Sequence, residues 1–225
     1  MNRIGELNEH SLHAALKAWY ARPQDRTEVE VDGYVIDIVR EGELVEIQTG
    51  NFSSIRDKLR ALVPSYPLTL VYPIASEKWL YKLPKENWDE PRRRKSPKRG
   101  RVEDVFRELV SFPDLFLVDN FTLEVVMVQE EEVRKFTGRK MWWRNGWEPV
   151  ERRLIKVLER HQFATPADVG LLLPDDLPDA FTTKDMARAM DGPRWMAQKM
   201  AYCLRKMGEI TDVGKRGRAI LYTRP

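Results

Sequence analysis

The sequence predicts an α/β protein in which a mixed sheet is flanked by helices and followed by a second, mostly helical domain. Two observations predict this class. Over residues 4–62 the spacing of apolar side chains changes from helical to alternating and back to helical, as expected where strands lie between two helices. A new helical pattern begins near the punctuating residues Gly146 and Pro149, which predicts a domain boundary between residues 1–147 and 148–225.

Composition excludes several classes of protein. With 42% apolar and 32% charged residues, the chain of 225 residues can bury cores, so it is not a disordered protein. No apolar run approaches the ~18 residues that span a bilayer, and the charged N-terminal segment is not a signal peptide, so we expect no membrane partner. The single cysteine, Cys203, excludes a disulfide framework and favours a reducing, cytoplasmic location.

The first helix is predicted over about residues 4–21, with Leu12, Leu16 and Trp19 on one face. Glu9 lies three residues before Leu12 and therefore belongs to this inward face. A buried carboxylate needs a partner, a metal ion or a water-filled cleft, so Glu9 is a candidate functional residue. The alternative is that Glu9 lies at the exposed edge of the helix.

Strand-like patterns follow at residues 26–32, 33–40 and 43–49. A hairpin turn between the second and third strands brings Asp37 near Glu46. Because side chains alternate along a strand, Glu46 and Gln48 emerge on the same face. The alternative is that both acids are simply exposed on a half-solvated sheet.

A helix soon after residue 50 and an apolar strand at 67–74 complete the order helix, three strands, helix, strand. This order, with Asp37 and the tripeptide Glu46-Ile47-Gln48, resembles the PD-(D/E)XK nuclease superfamily, which has the restriction-endonuclease-like fold. The resemblance covers about residues 5–85. Gln48 stands where that superfamily usually has lysine, although some of its restriction enzymes use Glu-x-Gln.

The resemblance implies a metal-dependent DNA endonuclease, a hydrolase of phosphodiester bonds that uses Mg²⁺ or Mn²⁺. Asp37, Glu46 and the backbone carbonyl of Ile47 would hold the metal ion, which activates a water molecule. Glu9 would act through water or a second metal ion. Gln48 would orient the attacking water.

Gln48 brings no positive charge to the transition state, whereas the usual lysine does. Lys58 or Arg56, on the helix that follows, is a candidate source of that charge.

A basic segment at residues 91–101 is predicted as a loop because Pro91 and Pro97 punctuate it. Its composition suits the phosphate backbone of DNA whatever the sequence, and a solvated linker is the alternative. The expected DNA contacts of this loop are Arg92, Arg93, Arg94, Lys95, Lys98 and Arg99. Farther along, Trp142 and Trp143 are expected to pack one domain against the other.

The C-terminal region predicts a helix at 149–161, a short helix capped by Thr182 or Thr183, a helix from Pro193 to Gly208 and a β-hairpin. This order resembles a winged helix-turn-helix domain. The resemblance implies that the third helix enters the major groove of DNA and that the hairpin, or wing, contacts the backbone. The implied DNA contacts are Arg194, Gln198, Lys199, Lys215, Arg216 and Arg218. A winged helix that binds a protein is the alternative.

Taken together, the two resemblances predict a metal-dependent endonuclease that a winged-helix domain brings to DNA. A homodimer would suit cleavage of both strands. The first alternative is a catalytically inactive nuclease-fold protein that binds DNA, such as a transcriptional regulator. The second is an interaction module whose basic regions bind an acidic protein, against which salt-sensitive binding to DNA would argue.

Overall fold

The computed structural model describes residues 7–85, 90–138 and 146–225, with side chains from Leu12 onward. It is an α/β protein in which a mixed sheet is flanked by helices. The helices are α1 (Leu7–Tyr20), α2 (Arg56–Leu62), α3 (Phe106–Leu109), α4 (Pro166–Gly170), α5 (Thr183–Ala189) and α6 (Arg194–Met207). The strands are β1 (Arg26–Val31), β2 (Tyr34–Arg40), β3 (Glu43–Ile47), β4 (Leu68–Lys82), β5 (Arg92–Lys95), β6 (Phe121–Phe136), β7 (Trp147–Phe163), β8 (Thr211–Arg216) and β9 (Ala219–Thr223).

The main sheet has the strand order β1-β2-β3-β4-β6-β7, and β5 pairs with β4. The strands β1, β2 and β3 form an antiparallel meander, β3, β4 and β6 are parallel, and β7 is antiparallel to β6. The order α1, β1, β2, β3, α2, β4 confirms the predicted succession of helix, three strands, helix and strand.

A tight turn sets the register between β2 and β3. Glu41 and Gly42 both have positive φ, at 46° and 91°, as two-residue hairpin turns of the favoured hand require. The turn pairs Arg40 with Glu43 and Ile38 with Val45. This register carries Asp37 to the level of Glu46, as the sequence predicted.

The two faces of the sheet are covered by different helices. Leu12 and Leu16 of α1 are buried against one face, where they pack with Ile38, Val45 and Val71. Trp19, which was predicted on the same inward face, is 44% exposed. The opposite face is covered by α2, α3 and α6, whose apolar residues join one continuous core with the sheet.

The predicted helix at 149–161 is wrong, because these residues belong to β7 of the main sheet. Leu154 pairs with Glu130 and Lys156 with the adjacent Gln129, so Ile155 is an extra residue, a β-bulge. A bulge shifts the alternation of side chains by one position. Leu154 and Val157 therefore face the same side at a spacing of three, which imitates a helix.

The predicted loop at 91–101 is also wrong in part, since Arg92–Lys95 form β5 along the far end of β4. The charges of this strand are balanced by acidic neighbours. Arg93 lies 2.7 Å from a carboxylate oxygen of Glu131, and Lys95 lies 2.7 Å from one of Glu77. Paired charges let a basic segment order as a strand.

The C-terminal elements other than the first confirm the predicted order. Thr182 caps α5, α6 begins after Pro193, and β8 pairs with β9 as a hairpin. Gly208 ends α6 with φ of 86°, a conformation that glycine adopts without strain. Cys203 is buried in α6, and burial raises the pKa of its thiol to about 12.

Trp142 and Trp143 lie outside the described residues, so their predicted packing stays a prediction. Across the described ranges, no helix combines the length and the apolar character needed to cross a membrane.

Candidate functional site

The candidate site lies where β2 and β3 stop pairing. Their ladder runs from the turn to Ile38 and Val45. Beyond that point the backbone N–H of Ile47 donates to Oδ2 of Asp37 at 2.8 Å. The Asp37 carboxylate thus takes the place of the backbone carbonyl that would continue the ladder. This carboxylate is held between the two strands.

Glu46 is buried on the face of β3 that α2 covers. Its Oε2 lies 2.6 Å from Nζ of Lys58, and the Lys58 ammonium also donates to the carbonyl of Val35. Burial is the main reason that the pKa of Glu46 is raised. The Lys58 ammonium opposes this shift, whereas the negative charge of Asp37 adds to it.

Asp37 is held by one partner from α1 and one from the neighbouring strand β3. His13 of α1 places Nε2 at 3.1 Å from the Oδ2 that accepts the Ile47 N–H. Burial favours the neutral form, but the hydrogen bonds from His13 and Ile47 together outweigh it and lower the pKa of Asp37. The hydrogen bond to Asp37 in turn raises the pKa of His13 above 6.5.

Gln48 makes two hydrogen bonds to the segment that follows β3. Its amide Nε2 donates to the carbonyl of Asn51 at 2.9 Å and to Oγ of Ser54 at 3.0 Å. The side chain therefore stabilises the 3-10 turn Phe52–Ser54, which leads into α2 and so positions Lys58. Its predicted contact with an attacking water stays untested.

The structure brings Asp37, Glu46 and Ile47 together as predicted, and it separates the two candidate cations. Lys58 lies at Glu46, whereas Arg56 pairs with Asp57, 3.1 Å away. The backbone of Glu9 lies in α1, and its side chain is outside the described residues.

His13 was missed as a site residue. Its one signal was its position on the helix that also carries Glu9, a single turn farther along.

The residues at the site fit a divalent metal ion that substrate and water complete. Within the described residues, no group of three or more His, Cys, Asp or Glu side chains could hold a metal ion. The protein would therefore supply only a few of the ligands of a metal ion. Asp37 and Glu46 supply two carboxylates. In an extended strand the N–H and C=O of one residue point to the same side, so the Ile47 carbonyl lies toward Asp37. Mg²⁺ prefers such hard oxygens and keeps places for water and phosphate.

The predicted DNA contacts in the basic segment have three kinds of surroundings. Arg93 and Lys95 are paired with acids and flank the ring of Trp79, at 5.1 and 5.0 Å from its centroid. A second group, together with residues of β4 and β6, lines a cavity of about 760 Å³, and it consists of Arg94, Lys98 and Arg99. Arg92 is exposed at the start of β5.

The predicted contacts in the C-terminal region divide in the same way. Arg194 and Gln198 are exposed on α6, and Lys215 and Arg218 are exposed on the hairpin. Lys199 instead donates to the carbonyl of Arg107 at 2.6 Å and ties α6 to α3. Arg216 donates to the carbonyl of Ala180 and pairs with Asp185.

The fold and the site define an α/β protein whose mixed sheet holds a buried pair of carboxylates beside a lysine. Residues 10–164 match a family described as a domain of unknown function, DUF8091, and the chain belongs to that family. A protein of Treponema pallidum (strain Nichols), described as uncharacterized, is 30% identical over 223 residues, which cover 97% of this chain and 86% of that protein. No solved structure matches this chain.

Proposed function

We propose that the protein is a metal-dependent DNA endonuclease of the restriction-endonuclease-like fold, with a winged-helix region that brings it to DNA. One observation carries the proposal. The register of β2 and β3 brings Asp37 level with Glu46, the charge of Asp37 helps to raise the pKa of Glu46, and Lys58 lies 2.6 Å from Glu46. Two carboxylates and an ammonium in one buried site are the groups that phosphodiester hydrolysis needs.

Each residue has a proposed task. Asp37, Glu46 and the Ile47 carbonyl hold a Mg²⁺ or Mn²⁺ ion, which supplies an activated water and neutralises charge on the phosphate. Lys58 supplies the positive charge that Gln48 lacks, and it does so from α2 rather than from β3. Glu9 keeps its predicted supporting role.

His13 is proposed as a positioning residue. Its hydrogen bond to Oδ2 fixes the orientation of the Asp37 carboxylate.

The topology supports the nuclease fold. The meander of β1, β2 and β3 followed by α2 and a parallel β4 has the element order of that superfamily.

The C-terminal elements support a winged helix. A short bridge between Phe181 and Tyr222 joins the segment before α5 to the hairpin. The order becomes α4, bridge strand, α5, α6 and wing. The exposed stripe of α6 presents Arg194, Gln198 and Arg205 to solvent, side chains that suit phosphates and base edges.

A cleavage assay tests the proposal. Purified protein is incubated with linear, circular, branched and single-stranded DNA, in Mg²⁺, Mn²⁺ or EDTA, beside the Glu46→Gln variant. Cleavage that requires metal and disappears in Glu46→Gln supports the nuclease. Cleavage that persists unchanged in this variant contradicts the site.

The second candidate is a catalytically silent DNA-binding protein on the same fold, and the position of Gln48 favours it. Its amide nitrogen donates to Asn51 and Ser54, so the strand position that usually carries the catalytic lysine holds a neutral side chain that stabilises the following turn. Tight, salt-sensitive binding of DNA without cutting under any metal condition would select this candidate.

A further inference from the structure

A second polar site lies beside the candidate site, at the place where β3 ends and its neighbours continue. β3 ends at Ile47, which pairs with Val71, whereas β4 runs on to Lys82 beside β6. The cavity of about 760 Å³ begins in this notch, at Tyr72. Tyr72 follows Val71, the residue of β4 that pairs with Ile47 at the candidate site. The cavity therefore begins one residue beyond the candidate site along β4.

The lining of this cavity is strongly positive. Seven cationic side chains and two acidic ones line it. Within the described residues no carboxylate forms an ion pair with Arg94, Lys98 or Arg99, although the charge of Arg99 helps to lower the pKa of Glu77. A concave surface with such an excess concentrates anions.

A buried glutamate fixes two of the cations at the cavity. Glu130 is fully buried; its Oε1 lies 2.8 Å from Nζ of Lys78 and its Oε2 lies 2.7 Å from a guanidinium nitrogen of Arg152. Arg152 also donates to the carbonyl of Thr49 at 3.0 Å, directly after the candidate site. Cations held in this way lose little conformational entropy when an anion binds.

Two further cations, Lys98 and Arg99, lie on an arch, residues 96–100, that is tied to β4 at both ends. Ser96 N–H donates to the carbonyl of Lys78 at 2.8 Å, and Gly100 N–H donates to that of Ala75 at 2.9 Å. A Cβ atom at Gly100 would lie 2.7 Å from the Ala75 oxygen, too close for any residue but glycine. The close approach keeps the arch against the cavity.

We propose that this cavity binds phosphate groups, either those of a nucleic-acid strand that leaves the candidate site or those of a small polyphosphate. Guanidinium groups match the oxygens of phosphate in pairs. Strands rise ~3.3 Å per residue, so Lys78 lies roughly 20 Å along β4 from Val71. A strand held at Asp37 and Glu46 would place several phosphates along this path. The inference rests on the proposed function only in naming a nucleic acid as one source.

The test is a binding measurement in EDTA, so that cleavage and metal ions play no part. Calorimetry measures the affinity of inorganic tripolyphosphate and of a short single-stranded oligonucleotide for the full chain. The cavity variant carries Arg94→Ala, Lys98→Ala and Arg99→Ala. The matched control carries Arg22→Ala, Arg26→Ala and Lys156→Ala, which remove three exposed cations elsewhere. Gly100→Ala displaces the arch without removing charge.

The cavity variant should bind at least about tenfold more weakly than the control, and its salt slope for the oligonucleotide should fall by about two. Gly100→Ala should weaken binding in the same direction. Loss of both ligands identifies a site open to small polyphosphates, and loss of the oligonucleotide alone identifies a strand path. Equal affinity of cavity and control variants, or equally tight binding of a polyglutamate peptide, overturns the proposal. Phosphate binding without cleavage in metal would refute the nuclease and leave this site standing.

Discussion

Two buried glutamates on the same sheet have opposite surroundings. Glu124 of β6 is fully buried and fully bonded: its Oε2 accepts from Tyr20, Arg160 and Gln162 at 3.0, 2.9 and 3.3 Å, and its Oε1 accepts from Arg160. Glu46 of β3 is nearly as buried, but within the described residues its Oε2 has no hydrogen-bond partner of good geometry, and Nζ of Lys58 lies 2.6 Å from it.

This difference in hydrogen bonding supports the proposed role of Glu46. Buried polar atoms in folded proteins are nearly always hydrogen-bonded, and Glu124 follows this rule. Glu46 departs from this rule and lies beside a second acid, Asp37. The raised pKa of Glu46 reflects the unfavourable burial of its charge. A buried carboxylate with an unpartnered oxygen beside a second acid is what the proposed metal site requires.

The largest expected effect is the loss of cleavage in Glu46→Gln. The amide keeps the shape of the side chain but removes the negative charge that the proposed metal site requires, so the cleavage rate should fall at least ~100-fold. Single-turnover cleavage measures the rate, and circular dichroism checks the fold. The control is Glu30→Gln, an exposed acid on β1, which should cut as well as wild type. Equal rates in both variants would remove Glu46 from the site.

The next effect is on stability, and it belongs to Glu124. Glu124→Gln leaves Arg160 facing an amide NH₂ group and should reduce the free energy of unfolding by about 2 kcal/mol. Urea denaturation measures the change, with Glu159→Gln on the exposed face of β7 as the control. The folded fraction should keep its cleavage activity. If Glu46→Gln reduced the free energy of unfolding as much as Glu124→Gln does, the contrast between the two glutamates would be wrong.

A third prediction concerns the pH dependence of cleavage. Glu46 must be ionised to hold a metal ion, and its pKa lies above the ordinary value of 4.5, so the rate should fall as the pH is lowered through that raised pKa. Removing the Lys58 ammonium raises the pKa further. Lys58→Met should therefore move the acid limb of the profile upward by about one pH unit.

Lys58→Arg is the matched control. It keeps the positive charge, so the acid side of its pH–rate profile should stay near that of wild type. If the acid side of the profile does not shift in Lys58→Met, then Lys58 does not control the ionisation of Glu46.

The smallest effect comes from His13. Its raised pKa gives stabilisation that is complete below pH 6.5 and lost as the pH rises through the folded value. The lowered pKa of Asp37 gives stabilisation that is present above pH 3.8 and lost as the pH falls through its folded value. The interaction between His13 and Asp37 therefore stabilises the fold between the lowered pKa of Asp37 and the raised pKa of His13.

His13→Gln should cost about 0.5 kcal/mol near pH 5.5, since His13 is partly exposed, and less near pH 9. Denaturation at the two pH values measures the difference, and a cost that grows with pH would contradict the ion pair.

The local part of the site was predictable from the sequence. The turn at Glu41 and Gly42 fixes the register of β2 and β3, so the proximity of Asp37 and Glu46 follows from alternation alone. The choice between Lys58 and Arg56 was not predictable, since it depends on the rotation of α2 about its axis. His13 reaches Asp37 only because α1 docks on the sheet, a contact between distant parts of the chain.

The long strands show a second limit. The apolar spacing of Leu154 and Val157 predicted a helix, because bulges in β7 hide its alternation. In the basic segment, Arg93 and Lys95 lie in a strand that pairs with β4, and Glu131 and Glu77 beside them balance their charges. Both features depend on partners that are remote in sequence, so local periodicity does not reveal them.

The bulges of β7 have a further consequence for solubility. In the described part of the sheet, β7 is an edge strand of 17 residues, long enough to template the addition of a foreign strand. Edge strands resist such association when bulges, proline and charges interrupt a flat ladder. Irregular register, Pro149 and a run of exposed charges give β7 all three, so the irregularity that imitates a helix in the sequence also protects the folded protein against aggregation through this edge.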